Sequence, residues 1–432
     1  MRSLSEVHHS IRQSAGLLCG AAALLATVLL TGCAPERDTE PTLRFMTDSV
    51  GRQLEITRGM VAEFEEEHGV RVEFRVGPES ATERLSQYLR SFAARSRDID
   101  VYQIDVIWPG ILADHLLDLS DTVDVEDFFA PMIENNTVAD RLVAVPFYAD
   151  AGLLYYRTDL LEKYDYDGPP RTWDELEEMA RAIQQGERED GNSSFWGYVF
   201  QGAAYEGLTC NALEWQVSEG GGVIVSPDGV AELNTEGARR AFSRVAGWIG
   251  TISPRGATTY QEEEARTIFQ SGNAAFMRNW PYAYQLGEAE DSRIRGRFAV
   301  TELPAGEART ASALGGWSLG VSAYSRHPEL AKEFVAFLST HEAQHERALR
   351  GGYFATRPGV YGDPALTEVL PWYDEMREVL ENTAARPSAA TGRRYNEVSG
   401  IYYQAVHRII SGQADPMEEL ADAQRRIGRI IR

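Results

Sequence analysis

Asp100-Val101-Tyr102-Gln103-Ile104-Asp105-Val106-Ile107-Trp108 is an apolar run of strand length with a carboxylate inside it. An unpaired carboxylate is costly to bury, so Asp105 must be hydrogen-bonded, be paired, or sit at the strand's end facing a cleft. Upstream, Thr42–Thr47 reads as a first strand. A helix follows with Leu54, Met60, Val61 and Phe64 on one face and a stop at Gly69. Val70–Val76 alternates as a second strand, and another helix is predicted over about 80–95. Strands alternating with helices specify an α/β chain with a mostly parallel sheet covered on both faces. In such open sheets ligands bind outside the carboxyl ends of the strands, so Asp105 is open to two roles, capping a loop or contacting a ligand.

The theme repeats downstream. Thr172-Trp173-Asp174-Glu175 has the form of a capping box. Trp173, Leu176, Met179, Ala180 and Ile183 then run at helical spacing, with Gly186 read as the stop. Helices are predicted over 236–250 and 261–271, a short strand over Ala274–Met277, and a helix opening at Pro281. Leu330, Phe334, Phe337 and Leu338 mark another amphipathic helix, and Ile409, Ile410, Leu420 and Ile427 anchor helices in the last stretch. The acidic runs Glu65–Glu67 and Glu262–Glu264 read as solvated helix faces.

The first 32 residues read as a secretory leader. Arg2 and Arg12 precede an apolar run from Ala15 to Leu30, followed by Thr31-Gly32-Cys33. The run falls short of the ~20 apolar residues that span a membrane comfortably. A cysteine at the cut resembles the bacterial lipobox, so the mature chain is expected to begin at Cys33 with lipid on it. Residues 33–41 would then act as a tether, holding an extracytoplasmic body to a membrane. Removing the leader leaves about 400 residues, enough for two domains. A net charge of −23 excludes nucleic acid as an expected partner. With Cys19 in the leader and Cys33 lipidated, Cys210 stands alone, which excludes an intramolecular disulfide and cysteine-based metal sites. The histidines read as scattered, and neither a metal nor a cofactor is expected.

Three further segments join Asp105 as carriers of chemistry. In Val145-Pro146-Phe147-Tyr148-Ala149-Asp150, alternate residues share a strand face, so Tyr148 and Asp150 would present a ring and a carboxylate together. Trp280 and Tyr282 flank Pro281 at the mouth of a helix, and Trp317 follows Gly315-Gly316. Aromatic platforms with carboxylates suit a sugar: the C–H faces of a pyranose stack on an indole, and its hydroxyls donate to charged acceptors. Paired carboxylates are also what glycoside hydrolysis needs, so an extracytoplasmic glycosidase is the competing reading. A binder of another solute class is a third. No Walker A or G-x-G-x-x-G motif is present.

In these segments, and in Tyr205-Glu206-Gly207-Leu208-Thr209-Cys210 and 272–283, the chain resembles the extracellular solute-binding proteins of bacterial ABC sugar importers, most closely the trehalose/maltose-binding branch. The resemblance implies a two-lobed periplasmic-binding-protein fold with a hinge of three crossings, near 148–152, 301–305 and 352–356, and a central ligand cleft. One lobe would combine 42–148 with 306–352, the other 152–301 with 356–432. By position, Asp105, Tyr148, Asp150, Trp280, Tyr282, Gly316, Trp317 and Arg386 match ligand contacts, and Glu79 aligns with a polar one. Gln53 stands where the branch carries an acid, and 388–395 departs from the family's pattern. The implied protein is a monomeric, non-enzymatic receptor that closes on a disaccharide and docks on a permease.

Overall fold

The computed structural model describes residues 40–432. The leader, Cys33 and all but the end of the tether lie outside the described residues, and among the described ones no helix is long and apolar enough to cross a membrane. In chain order the strands are β1 (Thr42–Thr47), β2 (Arg71–Val76), β3 (Val101–Asp105), β4 (Thr137–Val138), β5 (Arg141–Leu142), β6 (Val145–Ala151), β7 (Leu153–Arg157), β8 (Trp196–Val199), β9 (Ala274–Asn279), β10 (Phe298–Thr301) and β11 (Leu314–Val321).

They form two principal sheets, ordered β2-β1-β3-β11-β6 and β10-β7-β9-β8, with β4 and β5 paired apart. The chain is thus a two-lobed α/β molecule. Pairing is parallel for β1 with β2 and β3, and for β8 with β9. It is antiparallel for β11 with β3 and β6, and for β7 with β9 and β10. The mostly parallel sheet expected from the sequence is therefore a mixed one. The physical reason is the passage of the chain between lobes. β6 hands directly to β7 through Gly152, and β11 is entered from β10 of the other sheet. A strand that starts at the junction must run against those that end there.

Most helices fall where periodicity places them: Gln53–His68, Ala81–Ala93, Glu236–Trp248, Glu262–Gln270 and Pro328–Leu338. Three local readings are corrected. The helix from Trp173 runs through Gly186 to Glu189, because Gly186 makes room for the Tyr164 ring; a Cβ there would lie 2.3 Å from its hydroxyl. The Thr172 hydroxyl accepts from the Glu175 N–H at 3.2 Å as expected, but the Glu175 carboxylate accepts from Arg171 N–H (2.6 Å), one residue before the cap. β3 stops at Asp105, since the Trp108 N–H turns back to the Asp105 carbonyl at 2.9 Å.

The helix Glu206–Ser218 is buried along its whole length and forms the core of the second lobe. Helices Tyr395–Ile410 and Pro416–Ile430 pack beside it with Glu236–Trp248. The expected assignment of everything after 356 to this lobe meets an exception. Leu366, Leu370, Tyr373 and Leu380 are buried, and their segment covers the helix His341–Gly351 and β6 of the first lobe. The chain reaches the second lobe after Ala384, which pairs with Ser312–Leu314.

Candidate functional site

Two of the strands running to the junction, β3 and β6, and the start of β11 put the expected residues on one row. Trp317 is in register with Asp105 on one side and with Tyr148 on the other, and a bulge follows between Trp317 and Ser318. Gly316 has φ +119°, and a Cβ there would lie 2.6 Å from the Tyr148 carbonyl, so the backbone can only approach this closely without a side chain. Asp105 ends its strand and caps the loop that follows, while also pairing with a cation. Its Oδ1 accepts from Ile107 N–H (3.3 Å) and from Arg386 Nη2 (2.9 Å).

Facing this row across the junction are the start of the helix Glu206–Ser218, the first turn of Glu262–Gln270 and the loop after β9. Together they enclose a pocket of about 670 Å³, open solvent at its mouth included. Asp105, Tyr148, Asp150, Trp280, Tyr282, Gly316, Trp317 and Arg386 all line it, and Glu79 lies exposed at its rim. Gln53 stands apart. It is fully buried and its amide is satisfied internally, donating to Thr57 Oγ1 (3.0 Å) and accepting from Thr47 Oγ1 (3.1 Å).

Sequence reasoning did not single out several of the lining residues. Asp48 and Arg84 form a buried ion pair, with Gln103 Nε2 donating to Asp48 at 2.8 Å. Arg84 also lies over the Trp317 ring, 4.2 Å from its centroid. Asp48 directly follows β1, and Arg84 shares a helix face with Tyr88; both positions were visible as anomalies of pattern. Glu262 overturns the reading of its acidic run as a solvated face. It turns into the pocket and accepts from Tyr205 Oη (2.7 Å) and Trp280 Nε1 (3.3 Å), which orients the indole. Tyr353 completes the wall, stacked 6.5 Å from Tyr282.

The electrostatics is that of a buried acidic site with few counter-charges. Arg386 bridges the lobes: Nη2 bonds Asp105 and Nη1 donates to Glu206 Oε1 at 2.9 Å. Glu206 also accepts from Ser399 Oγ (2.6 Å) and Tyr395 Oη. Burial pushes the Glu206 and Glu262 carboxyls above the ordinary range, opposed at Glu206 by Arg386. Asp150 is raised furthest: burial dominates, Arg278 opposes it, and Asp105, Asp48 and Glu262 add to it. Asp150 Oδ1 is buried with no hydrogen-bond partner among the described residues. Cys210 lies at the pocket's floor as a buried free thiol, pushed up to about 12 by the same desolvation. Such a site offers acceptors to a ligand rich in O–H donors, and rings to its apolar faces.

One motif escaped the reading of the histidines as scattered: His341-Glu342-Ala343-Gln344-His345 has the H-E-x-x-H spacing of zinc hydrolases. Here it opens a surface helix away from the pocket. His341 Nε2 lies 3.1 Å from the Gly359 carbonyl, and His345 Nε2 is 2.9 Å from Asp363 Oδ2. No three metal-ligating side chains converge among the described residues.

Comparison with known proteins places this geometry. Residues 50–345 match the family model of the bacterial extracellular solute-binding proteins. A curated relative from Deinococcus radiodurans, named "Probable ABC transporter-binding protein", is 43% identical over 90% of this chain and 93% of its own. The solved structure of maltose-bound MalE3 from T. maritima superposes with a TM-score of 0.85 at 39% identity, covering 89% of this chain and 98% of that one. The GacH receptor of Streptomyces glaucescens, solved unliganded and with acarbose, shares the fold at 21% identity, with a TM-score of 0.80 over 91% of this chain and 98% of its own.

Proposed function

The chain belongs to the bacterial extracellular solute-binding proteins, and on that premise we propose that it captures an α-linked glucose disaccharide of the trehalose or maltose kind and delivers it to an ABC permease. The observation that carries the reading is the unpartnered Asp150 oxygen, buried in a pocket lined by the rings of Trp280 and Trp317. A buried acceptor left unpaired costs about 1–3 kcal/mol, a cost removed when a hydroxyl donates to it. The relation to a maltose-bound structure supports the sugar class. Asp105, Tyr148, Asp150, Trp280, Tyr282, Gly316, Trp317 and Arg386 are the proposed contacts, with Glu79 at the rim; Gln53 acts from behind, through Tyr353, whose hydroxyl accepts its N–H at 3.1 Å. The protein binds and does not hydrolyse. Lipid on Cys33 would hold the monomer beside its permease.

A thermal-shift screen over maltose, trehalose, sucrose, mannitol and tagatose tests this. Maltose or trehalose should raise Tm, by the equivalent of about 2.7 kcal/mol at a hundredfold excess over Kd, with no glucose released. A response to the polyol or the monosaccharide alone would overturn the disaccharide assignment, and glucose release would overturn the receptor.

A further inference from the structure

Beneath the pocket lies a buried ion pair that the site does not expose. Glu214 and Arg278 are each within 1% of complete burial. Arg278 Nε donates to Glu214 Oε2 at 3.0 Å, and Nη1 to Gln201 Oε1 at 3.2 Å. Gln201 in turn donates to the Arg278 carbonyl at 3.0 Å. A pair this buried is weak evidence of stability, because desolvating two charges consumes most of what their attraction returns; its best-attested use is to specify one arrangement.

What it arranges follows from its neighbours. Glu214 Oε1 accepts from Ala313 N–H at 3.1 Å, on the segment entering β11. At the other crossing, a Cβ on Gly152 would lie 2.1 Å from the same Oε1 and 2.7 Å from Arg278 Nη2, so the pair sits directly against the chain between β6 and β7. Ser312 Oγ donates to the Gly152 carbonyl at 2.7 Å, joining the two crossings. Arg278 Cζ also lies over the Trp280 ring, 3.8 Å from the centroid. It is also the cation that most opposes neutralisation of Asp150.

We infer that Glu214–Arg278 is a positioning pair that ties the Trp280 platform to both crossings between the lobes, so that platform orientation and hinge geometry change together. The inference rests on the reading of Trp280 as a sugar contact. Neither residue touches the ligand; Arg278 acts through Trp280 and Asp150, and Glu214 acts through Arg278. A guanidinium is suited to this because its plane can stack on an indole while its edge forks to a carboxylate.

Two variants separate this role from bulk stability. Glu214→Gln/Arg278→Gln keeps neutral hydrogen-bonding groups and removes both charges. Arg278→Lys keeps the charge and loses the guanidinium over the ring. With maltose in calorimetric titrations from pH 5 to 8, both should bind about tenfold more weakly or worse while melting cooperatively. The double variant should also lose affinity at a higher pH than wild type. Arg278 is the cation that most lowers Asp150. Without it Asp48, Asp105 and Glu262 still raise it, the pocket's other guanidinium groups, Arg84 and Arg386, being paired with Asp48 and Asp105, and its carboxyl keeps its proton longer. The lysine variant should keep the wild-type pH profile. Hydrogen exchange on the proteins without sugar should be faster in both variants at 150–154, 310–316 and 279–284 together. Wild-type maltose affinity and pH profile in the double variant would overturn the role, as would exchange unchanged at the two crossings. Failure of wild type to bind maltose counts against the disaccharide reading instead, and the exchange pattern then decides the pair.

Discussion

Asp150 illustrates how little a residue's chemistry is set by its type. Its strand position was legible from the alternation with Tyr148, but its environment was not. Five carboxylates from elsewhere in the chain share its pocket: Asp48, Glu79 at the rim, Asp105, Glu206 and Glu262. With its carboxyl raised by burial, the proton it holds in the folded state stabilises fully below the ordinary aspartate range. That contribution is lost as pH rises through the raised value, so the penalty of a buried charge grows toward neutral pH. Asp150→Asn should therefore raise the stability of the sugar-free protein, by about 1–3 kcal/mol at pH 8 and by less at pH 4. The same variant should bind maltose more weakly. Thermal melts at the two pH values with and without maltose check both halves; a variant less stable at pH 8 would show that Asp150 is satisfied in solution. Glu262 is the counterpart that was misread. Nothing in a run of three glutamates says which one turns inward, and only Tyr205 and Trp280 select it.

At the scale of elements, β11 brings the first lobe's half of the site together. It places Trp317 in register with Asp105 and Tyr148, and its two glycines let backbone replace side chain against the cleft. Gly316→Ala should destabilise by about 1–3 kcal/mol, because the positive φ and the Tyr148 carbonyl at 2.6 Å both resist a Cβ and neither can move without the strand. Urea unfolding, read as the shift in midpoint at constant slope, measures it. A neutral outcome would mean that the bulge beside Trp317 absorbs the methyl group. Helix and strand extents were read well from periodicity, as in Thr42–Thr47 and Pro328–Leu338. Strand direction was not: β11 is antiparallel because of where the chain has been before it.

For the whole molecule the decisive contact is Arg386, from the segment after Ala384, clasping Asp105 of one lobe and Glu206 of the other. Removing it strands two buried carboxylates, which costs about 3–5 kcal/mol unless they regain water. Opening the lobes is the way to regain it. Arg386→Met should therefore give a larger radius of gyration in small-angle scattering than wild type, and a reduced response to maltose. An unchanged radius with a lowered Tm would mean that the carboxylates are neutralised in place and the lobes stay closed.

The α/β class, the extents of many elements and the four segments that bring Trp280, Trp317, Asp105 and Asp150 to the pocket were legible in the sequence. These follow from local physics, since hydrophobic period, caps and turn residues act over a few positions. Which charges meet is settled by the assembled fold. Asp48 with Arg84, Asp105 with Glu206 through Arg386, and Glu214 with Arg278 are pairs of residues 36 to 281 positions apart. Burial, which sets the worth of a charge, is a property of the assembled lobes. No window of sequence contains it, and that is why the aromatic platforms could be read in advance and the electrostatics that orients them could not.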